Sequence, residues 1–402
     1  MEERLFDKLV RVRRRLHQIP ELGFQEFKTA AFLQAELEAL QIPVERVLAT
    51  GLIGVLRKGA GPTVVLRADM DALPVLEGTN LPFKSLTDGC AHACGHDLHM
   101  TILLGAAHLL NKADFNGTIK FLFQPSEESA LRSPEKGKSG GQLVAESGAL
   151  KDADVALGLH VHPLLPVGDL GYKIGESFAN VGNFAIRIHG NGGHPGDMRQ
   201  VIDPVLVAGH LITEARGLAG PQPDPPMSVL AFAHVETLAK PSFNVIPSDL
   251  LLQGSLRSLY LDVYNELVEK LQELLRKLET RFGCRIELEF TAYYPSLWND
   301  EQIHTALAPV REKIFGHAHV IESRPYLIGE DFAFYSRMMP AQFYLLGAKT
   351  EENDSFFLHH PQVTFHEDCI RYGSTFLADS ALQLLKAFAG QKNRTRPEIS
   401  RN

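Results

Sequence analysis

Thr63-Val64-Val65-Leu66-Arg67-Ala68-Asp69-Met70-Asp71 is a short apolar, β-branched run that closes on two carboxylates. Such a run reads as a buried strand with polar groups just past its end. The pattern recurs. Lys120-Phe121-Leu122-Phe123 leads to Glu127 and Glu128, and Ala156-Leu157-Gly158-Leu159 leads to His160. Strands are expected at Gly51–Arg57, Thr63–Arg67, Thr118–Phe123 and Val155–Leu159, with helices over 3–17, 25–40 and about Leu98–Leu110. This alternation predicts an α/β fold whose catalytic domain has a largely parallel mixed sheet flanked by helices. Ligands of open α/β sheets bind beyond the carboxyl ends of strands, so these separate segments point to one crevice.

The middle of the chain follows another plan. Asn183–His189 alternates like a strand, and Asp203 before Pro204 opens a helix that runs to Arg216. Strands follow near Met227–Glu236 and Asp249–Arg257, then an amphipathic helix over Leu261–Phe282 stopped by Gly283, then a strand at Arg285–Ala292. The order β-α-β-β-α-β is the split βαβ, ferredoxin-like α+β motif. The expected organisation is therefore a discontinuous catalytic metal-binding domain (1–178 and 293–390), an inserted domain (179–292) and a polar tail (391–402).

With 402 residues, 45% of them hydrophobic, the chain can build a core for two domains. A net charge of -8 leaves no basic stripe to neutralise phosphates, so nucleic acid is not an expected partner. The one basic run, Arg11–Arg15, reads as a solvated helix face. No apolar run is long enough to span a bilayer, and Met1-Glu2-Glu3-Arg4 does not open a signal peptide, so a cytoplasmic protein is expected. Four scattered cysteines, Cys90, Cys94, Cys284 and Cys369, do not make a disulfide scaffold.

The chemistry-bearing stretch is His92-Ala93-Cys94-Gly95-His96-Asp97-Leu98-His99. Cys94 and His96 are a soft-plus-borderline metal pair, and Gly95 lets the backbone turn both toward one ion. Alone, the pair reads equally well as a buried free cysteine beside a loop histidine. Ser126-Glu127-Glu128, His160-Val161-His162 and His359-His360-Pro361 shift the balance. Cys, His, Glu, His and His are too many ligands for one tetrahedral zinc. Two divalent ions bridged by the thiolate and a water would use them all, with a neighbouring carboxylate as general acid/base.

Several runs together resemble the amidohydrolase branch of the aminoacylase/carboxypeptidase metallopeptidase family (clan MH). They are His17–Phe24, Leu66–Pro74, His92–Asp97, Gln124–Glu128, Gly158–Pro163, Gly192-Gly193-His194, Asn244–Pro247 and Gly329-Glu330-Asp331-Phe332, in family order over nearly the whole chain. That branch includes hippurate and auxin-conjugate hydrolases and N-acetyldiaminopimelate deacetylases, the last most similar in the LHHP and GEDF runs. The resemblance implies two divalent metal ions (Zn, Mn, Co or Ni), bridged by Cys94 and completed by His96, Glu128, His160 and His359. Glu127 would be the general acid/base, and Asp69 or Asp71 would orient ligands. His194 would stabilise the oxyanion, often from a partner subunit, and Asn244 and Arg257 would bind the substrate carboxylate. His92, His99 and His162 would pack or support, and His360 would stay outside. A small N-acyl amino acid as substrate is implied, as is a homodimer or higher homo-oligomer through the inserted lid/dimerisation domain. One run departs from the family: Met198-Arg199 stands where Pro-His is usual.

Two other readings compete. Cys94 could be a nucleophile with His96 as base, but the carboxylate pair would then go unused. A catalytically inactive metal- or amino-acid-binding protein of the same fold is the other, and a spare Glu127 beside the ligand glutamate counts against it.

Overall fold

The computed structural model describes residues 1–128, 133–196, 198–220, 223, 227–237, 242–351, 353 and 355–390. The polar tail, 391–402, lies outside the described residues. Two compact units result: Met1–Gly175 with Trp298–Arg324 and the chain from Asp331 onward, and Glu176–Leu297 with Pro325–Glu330.

The first unit is built on an eight-stranded sheet. Its strands lie in the order Val44–Val47, Gly51–Lys58, Gly117–Gln124, Thr63–Asp69, Val155–His162, Ala341–Gly347, Leu170–Tyr172 and Val320–Glu322. The four central strands, from Gly117–Gln124 to Ala341–Gly347, run parallel to one another. Thr63–Asp69, Gly117–Gln124 and Ala341–Gly347 are buried at every residue, as strands covered on both faces must be. The carboxyl ends of these strands carry Asp69, Gln124 and His160 to one edge.

Most expected boundaries move by one to three residues, and two of these shifts fall at chemical residues. The strand expected to end at Leu159 runs on to His162, so His160 stands within it. The helix expected from Leu98 starts at His96 and runs to Lys112. Its polar first turn, His96 and Asp97, lacks the apolar spacing by which helices are recognised, so pattern alone starts it late. The C-terminal strand Ala341–Gly347 and helix Cys369–Ala387 complete this unit.

Helix His96–Lys112 is almost wholly buried and packs against Glu3–Gln18 and Cys369–Ala387. Small residues set that approach. A Cβ on Gly105 would lie 2.2 Å from Ser374 Oγ, and one on Gly373 would lie 2.9 Å from Ile102 Cδ1. This close crossing fixes the middle of the buried helix.

The second unit has the expected β-α-β-β-α-β order: strand Asn180–His189, helix Pro204–Ala215, strands Ser228–Thr237 and Asp249–Ser258, helix Leu261–Phe282, strand Arg285–Tyr294. All neighbouring strands are antiparallel, and the sheet order is 285–294, 180–189, 249–258, 228–237. Asp203 Oδ1 accepts from Val205 N and Leu206 N and so caps the first helix. Gly283 ends the second at φ 65°, a conformation glycine adopts without strain. Leu267, Leu271, Leu274 and Leu278 form one apolar stripe packed with Ile186, Ile188 and Leu252. Among the described residues, no helix is long and apolar enough to cross a membrane.

Gly105→Val should destabilise the protein by about 1–3 kcal/mol through overpacking at the helix crossing. Urea denaturation reads this directly, and an unchanged midpoint would mean the crossing relaxes freely.

Candidate metal centre

The backbone around Cys94 accounts for the first half of the site. Gly95 sits at φ 87°, and a Cβ there would lie 2.4 Å from Val161 Cγ2, so only glycine fits. The turn it allows presents the Cys94 thiol from the loop and the His96 ring from the first residue of the helix. Cys94 Sγ is 3.4 Å from His160 Nε2. The other nitrogen of each ring is engaged: His160 Nδ1 donates to Val161 O at 2.8 Å, and His96 Nδ1 donates to Asp71 O at 2.8 Å. Both rings therefore turn an Nε2 lone pair inward.

The second half comes from beyond strand Gly117–Gln124. Ser126 takes φ 50°, its N–H held at 2.8 Å by the buried carboxylate of Glu26. Burial and the nearby Asp71 charge push Glu26 up to about 7. Past this turn, Asp71 accepts both following backbone donors, Glu127 N at 2.9 Å and Glu128 N at 3.0 Å. The two side chains do not diverge as from an extended strand end, because the strand has already stopped at Gln124. Ligand atoms of Glu127, Glu128 and His96 all lie within 4.8 Å of one another. His359 reaches Glu128 Oε1 with its Nε2 at 2.8 Å, from a left-handed position at φ 69°, with its N–H on Ala93 O at 2.9 Å.

Two trios result, each within 4.8 Å: Cys94, His96 and His160, and Cys94, Glu128 and His359. The thiol belongs to both. The donor set fits divalent cations on two observations. His96 Nε2 is buried without a hydrogen-bond partner. Burial and the charges of Glu128, Glu127 and Asp69 hold the Cys94 thiol well above its usual range, so a thiolate here needs a cation beside it. His160 goes the other way. Burial and the neighbouring His99 ring press it well below the usual imidazole range, which keeps a lone pair available.

The remaining expected residues separate clearly. Asp69 Oδ1 holds His99 Nδ1 at 2.6 Å, and Asp69 Oδ2 lies 3.7 Å from His96 Nε2. Burial opposes its ionisation, but His96, His99 and Arg67 hold the carboxyl well below its usual range. His99 Nε2 accepts from Val161 N at 2.9 Å, which fastens the helix to the His160 strand. His360 stacks on Phe356 with ring centroids 4.1 Å apart.

His194, Asn244 and Arg257 belong to the second unit. Gly193 and Ile246 pair across the continuation of strands 180–189 and 249–258, and this puts His194 and Asn244, both exposed, at the same end. Arg257 stands near the other end, half-buried, donating through Nη1 to Leu327 O at 2.8 Å. Eight residues of strand separate Asp249 from Arg257, about 26 Å at roughly 3.3 Å per residue. Asn244 and Arg257 are thus not brought together within one chain. Met198 and Arg199 lie exposed in a 3-10 turn, and Asp197 is outside the described residues.

Comparison with known proteins bears on this geometry. Residues 65–383 match the model of peptidase family M20/M25/M40. The chain belongs to that family. It is 33% identical to IAA-amino acid hydrolase ILR1-like 2 of Arabidopsis thaliana, over 96% of this chain and 87% of the relative. It is 34% identical to N-acetylcysteine deacetylase of Bacillus subtilis, over 94% of this chain and 97% of the relative. The solved structure of Bacillus subtilis YXEP protein, a dinuclear metal-binding peptidase from the M20 family, superposes with a TM-score of 0.80 at 32% identity, covering 96% and 99% of the two chains.

Behind the site of this M20 chain lies a layer that pattern reading missed. Arg13, placed by its sequence on a solvated face, is 1% exposed. Its Nε is 2.9 Å from Asp97 Oδ2, which also takes His17 Nδ1 at 2.8 Å. Burial opposes the charge on Asp97, but Arg13 and His17 hold its carboxyl well below the usual range. Asp97 follows His96 on the first helical turn, so this pair anchors the turn that carries a ligand candidate. Val12, buried next to Arg13 in a charged run, was the available signal.

Arg13→Met leaves the buried Asp97 carboxylate with His17 as its remaining close charged partner. A loss of about 3–5 kcal/mol is expected in chemical denaturation, and a loss below about 1 kcal/mol would show that the pair is not anchoring the turn.

Proposed function

We propose that this chain is a dinuclear metal-dependent amidohydrolase that cleaves the amide of N-acyl amino acids to a carboxylate and a free amine. The observation that carries the reading is the sharing of Cys94 Sγ between two ligand trios, with Glu127 alongside. In it, Cys94, His96, His160, Glu128 and His359 would hold two divalent ions, the thiol being common to both ligand trios. Zn, Mn, Co or Ni suits a thiolate, imidazole and carboxylate set. When bound, such ions would supply Lewis-acid polarisation of the scissile carbonyl and would lower the pKa of a water.

The chain's own residues do the rest. Glu127 takes a proton from the attacking water through its carboxylate and returns it to the leaving nitrogen. Asp71 keeps Glu127 and Glu128 side by side through their backbone N–H groups. Asp69 and Asp71 aim His99 and His96. His194 stabilises the oxyanion. Arg257 offers a planar fork, and Asn244 an amide, to the substrate carboxylate. The separation of Asn244 from Arg257 along one strand favours a homodimer through the 179–292 domain, each subunit supplying one of them. That domain then acts as a lid as well as an interface. A cytoplasmic location accords with the four free cysteines, which a reducing compartment keeps as thiols. The named relatives act on IAA-amino acids and N-acetylcysteine, so a screen of N-acetyl and indole-acyl amino acids, with N-acetyldiaminopimelate, is the direct route to the substrate.

The purified chain should carry close to two equivalents of divalent metal by elemental analysis, and Cys94→Ala should lose metal. Glu127→Gln should keep both ions and lose amide hydrolysis by about a hundredfold or more. Chelator-indifferent hydrolysis, or full activity in Glu127→Gln, would overturn the mechanism. A second measurement addresses the subunits. Mixing inactive His194→Ala with inactive Glu127→Gln should restore part of the activity through mixed dimers; no recovery would place His194 in its own subunit's reaction.

A further inference from the structure

We propose that Asp331, in the Gly329-Glu330-Asp331-Phe332 run, is the positioning residue for Glu127, and that Arg67 ties its hold to the ligand side of the centre. The inference rests on the reading of Glu127 as general acid/base. Asp331 donates its own backbone N–H to Glu127 Oε1 at 3.3 Å. A glutamate side chain has three free torsions, so a base must be aimed by something fixed. What must be kept still here is the Asp331 backbone, and its side chain is the anchor.

That anchor is fully buried and held on several sides. Asp331 Oδ1 accepts from Arg67 Nη2 at 2.7 Å, and Gln124 Nε2 bridges both oxygens at 2.9 and 2.8 Å. Gly141 N donates to Oδ2 at 2.7 Å. Gln124 is itself gripped through Oε1 by Arg67 Nε at 2.9 Å and by the Tyr335 hydroxyl at 2.8 Å. Arg67 extends its second arm, Nη1, to Asp69 Oδ2 at 2.6 Å. The same Asp69 orients His99 and faces His96. One planar guanidinium therefore couples the carboxylate behind the base to the carboxylate behind the ligands, a geometry a lysine ammonium cannot reproduce. The hold also ties the ends of two parallel strands, since Arg67 lies on Thr63–Asp69 and Gln124 ends Gly117–Gln124.

Gly141 gives a way to push on this clamp without touching the site. A Cβ at Gly141 would lie 2.6 Å from Asp331 Oδ2 and Cγ and 2.8 Å from its carbonyl oxygen. Alanine is the better helix former by roughly 1 kcal/mol, so intrinsic propensity works against any loss seen there.

The test compares Asp331→Asn and Gly141→Ala with the parent in metal-loaded form. In each, kcat on an N-acetyl amino acid should fall about ten- to a hundredfold. KM should stay within about threefold and metal content at two equivalents, a split that general loss of structure does not produce. The crystal structure of Gly141→Ala should show the Asp331 N to Glu127 Oε1 contact displaced. If Asp331→Asn does not fold, Gly141→Ala decides alone. A kcat within twofold of the parent, or a fallen kcat with that contact unmoved, overturns the inference. A displaced contact in a chain whose parent hydrolyses no N-acyl amino acid supports the clamp and refutes the amidohydrolase reading instead.

Discussion

Buried negative charge is the constraint around which the catalytic unit is organised. Asp69, Asp71, Glu127, Glu128 and the Cys94 thiol converge at the carboxyl edge of a parallel sheet, Glu128 half-buried and the others buried. Such a concentration is unfavourable unless cations meet it. Some of the compensation is covalently part of the chain: Arg67 between Asp69 and Asp331, and Arg13 opposite Asp97. His96 Nε2, buried without a hydrogen-bond partner, and the thiol common to two ligand trios suit ions from outside. That division between arginines behind and metals in front separates residues that shape the site from residues that react.

The fold supplies rigidity to match. Parallel strands covered on both faces deliver their last residues to one edge. Left-handed turns are held there: Gly95 at φ 87° under Val161 without strain, and the L residues Ser126 at φ 50° under Glu26 and His359 at φ 69° on Ala93 O with it. Each places a donor that an ordinary strand or helix could not present. Strain concentrated around one centre accords with a preorganised site.

The two units contribute in different ways. The first holds all the candidate metal ligands and the candidate base, Glu127, within hydrogen-bonding distance of supporting groups. The second presents His194 and Asn244 at one end of its sheet and Arg257 near the other. A reading that assigns all three to one substrate must bring them from more than one chain or more than one conformational state, and the dimer in the proposed function is the simpler of these.

Much of this was legible in the chain itself. Apolar runs ending in acids or histidines announced the parallel strands, and the β-α-β-β-α-β order announced the second unit, because hydrophobic periodicity is a local signal. Cys94-Gly95-His96, Glu127-Glu128, His160-Val161-His162 and His359-His360 were readable as candidate donors because ligand chemistry restricts residue type, and the family resemblance singled out His160 and His359. Tertiary structure decided the rest. That Arg13 is buried rather than solvated depends on Asp97, 84 positions away; that Asp331 aims Glu127 depends on Arg67, Gln124 and Gly141 from three other elements. Charge pairing in a core joins residues distant in sequence and leaves no periodic trace, so only the folded chain reveals which charges are solvated and which hold the site together.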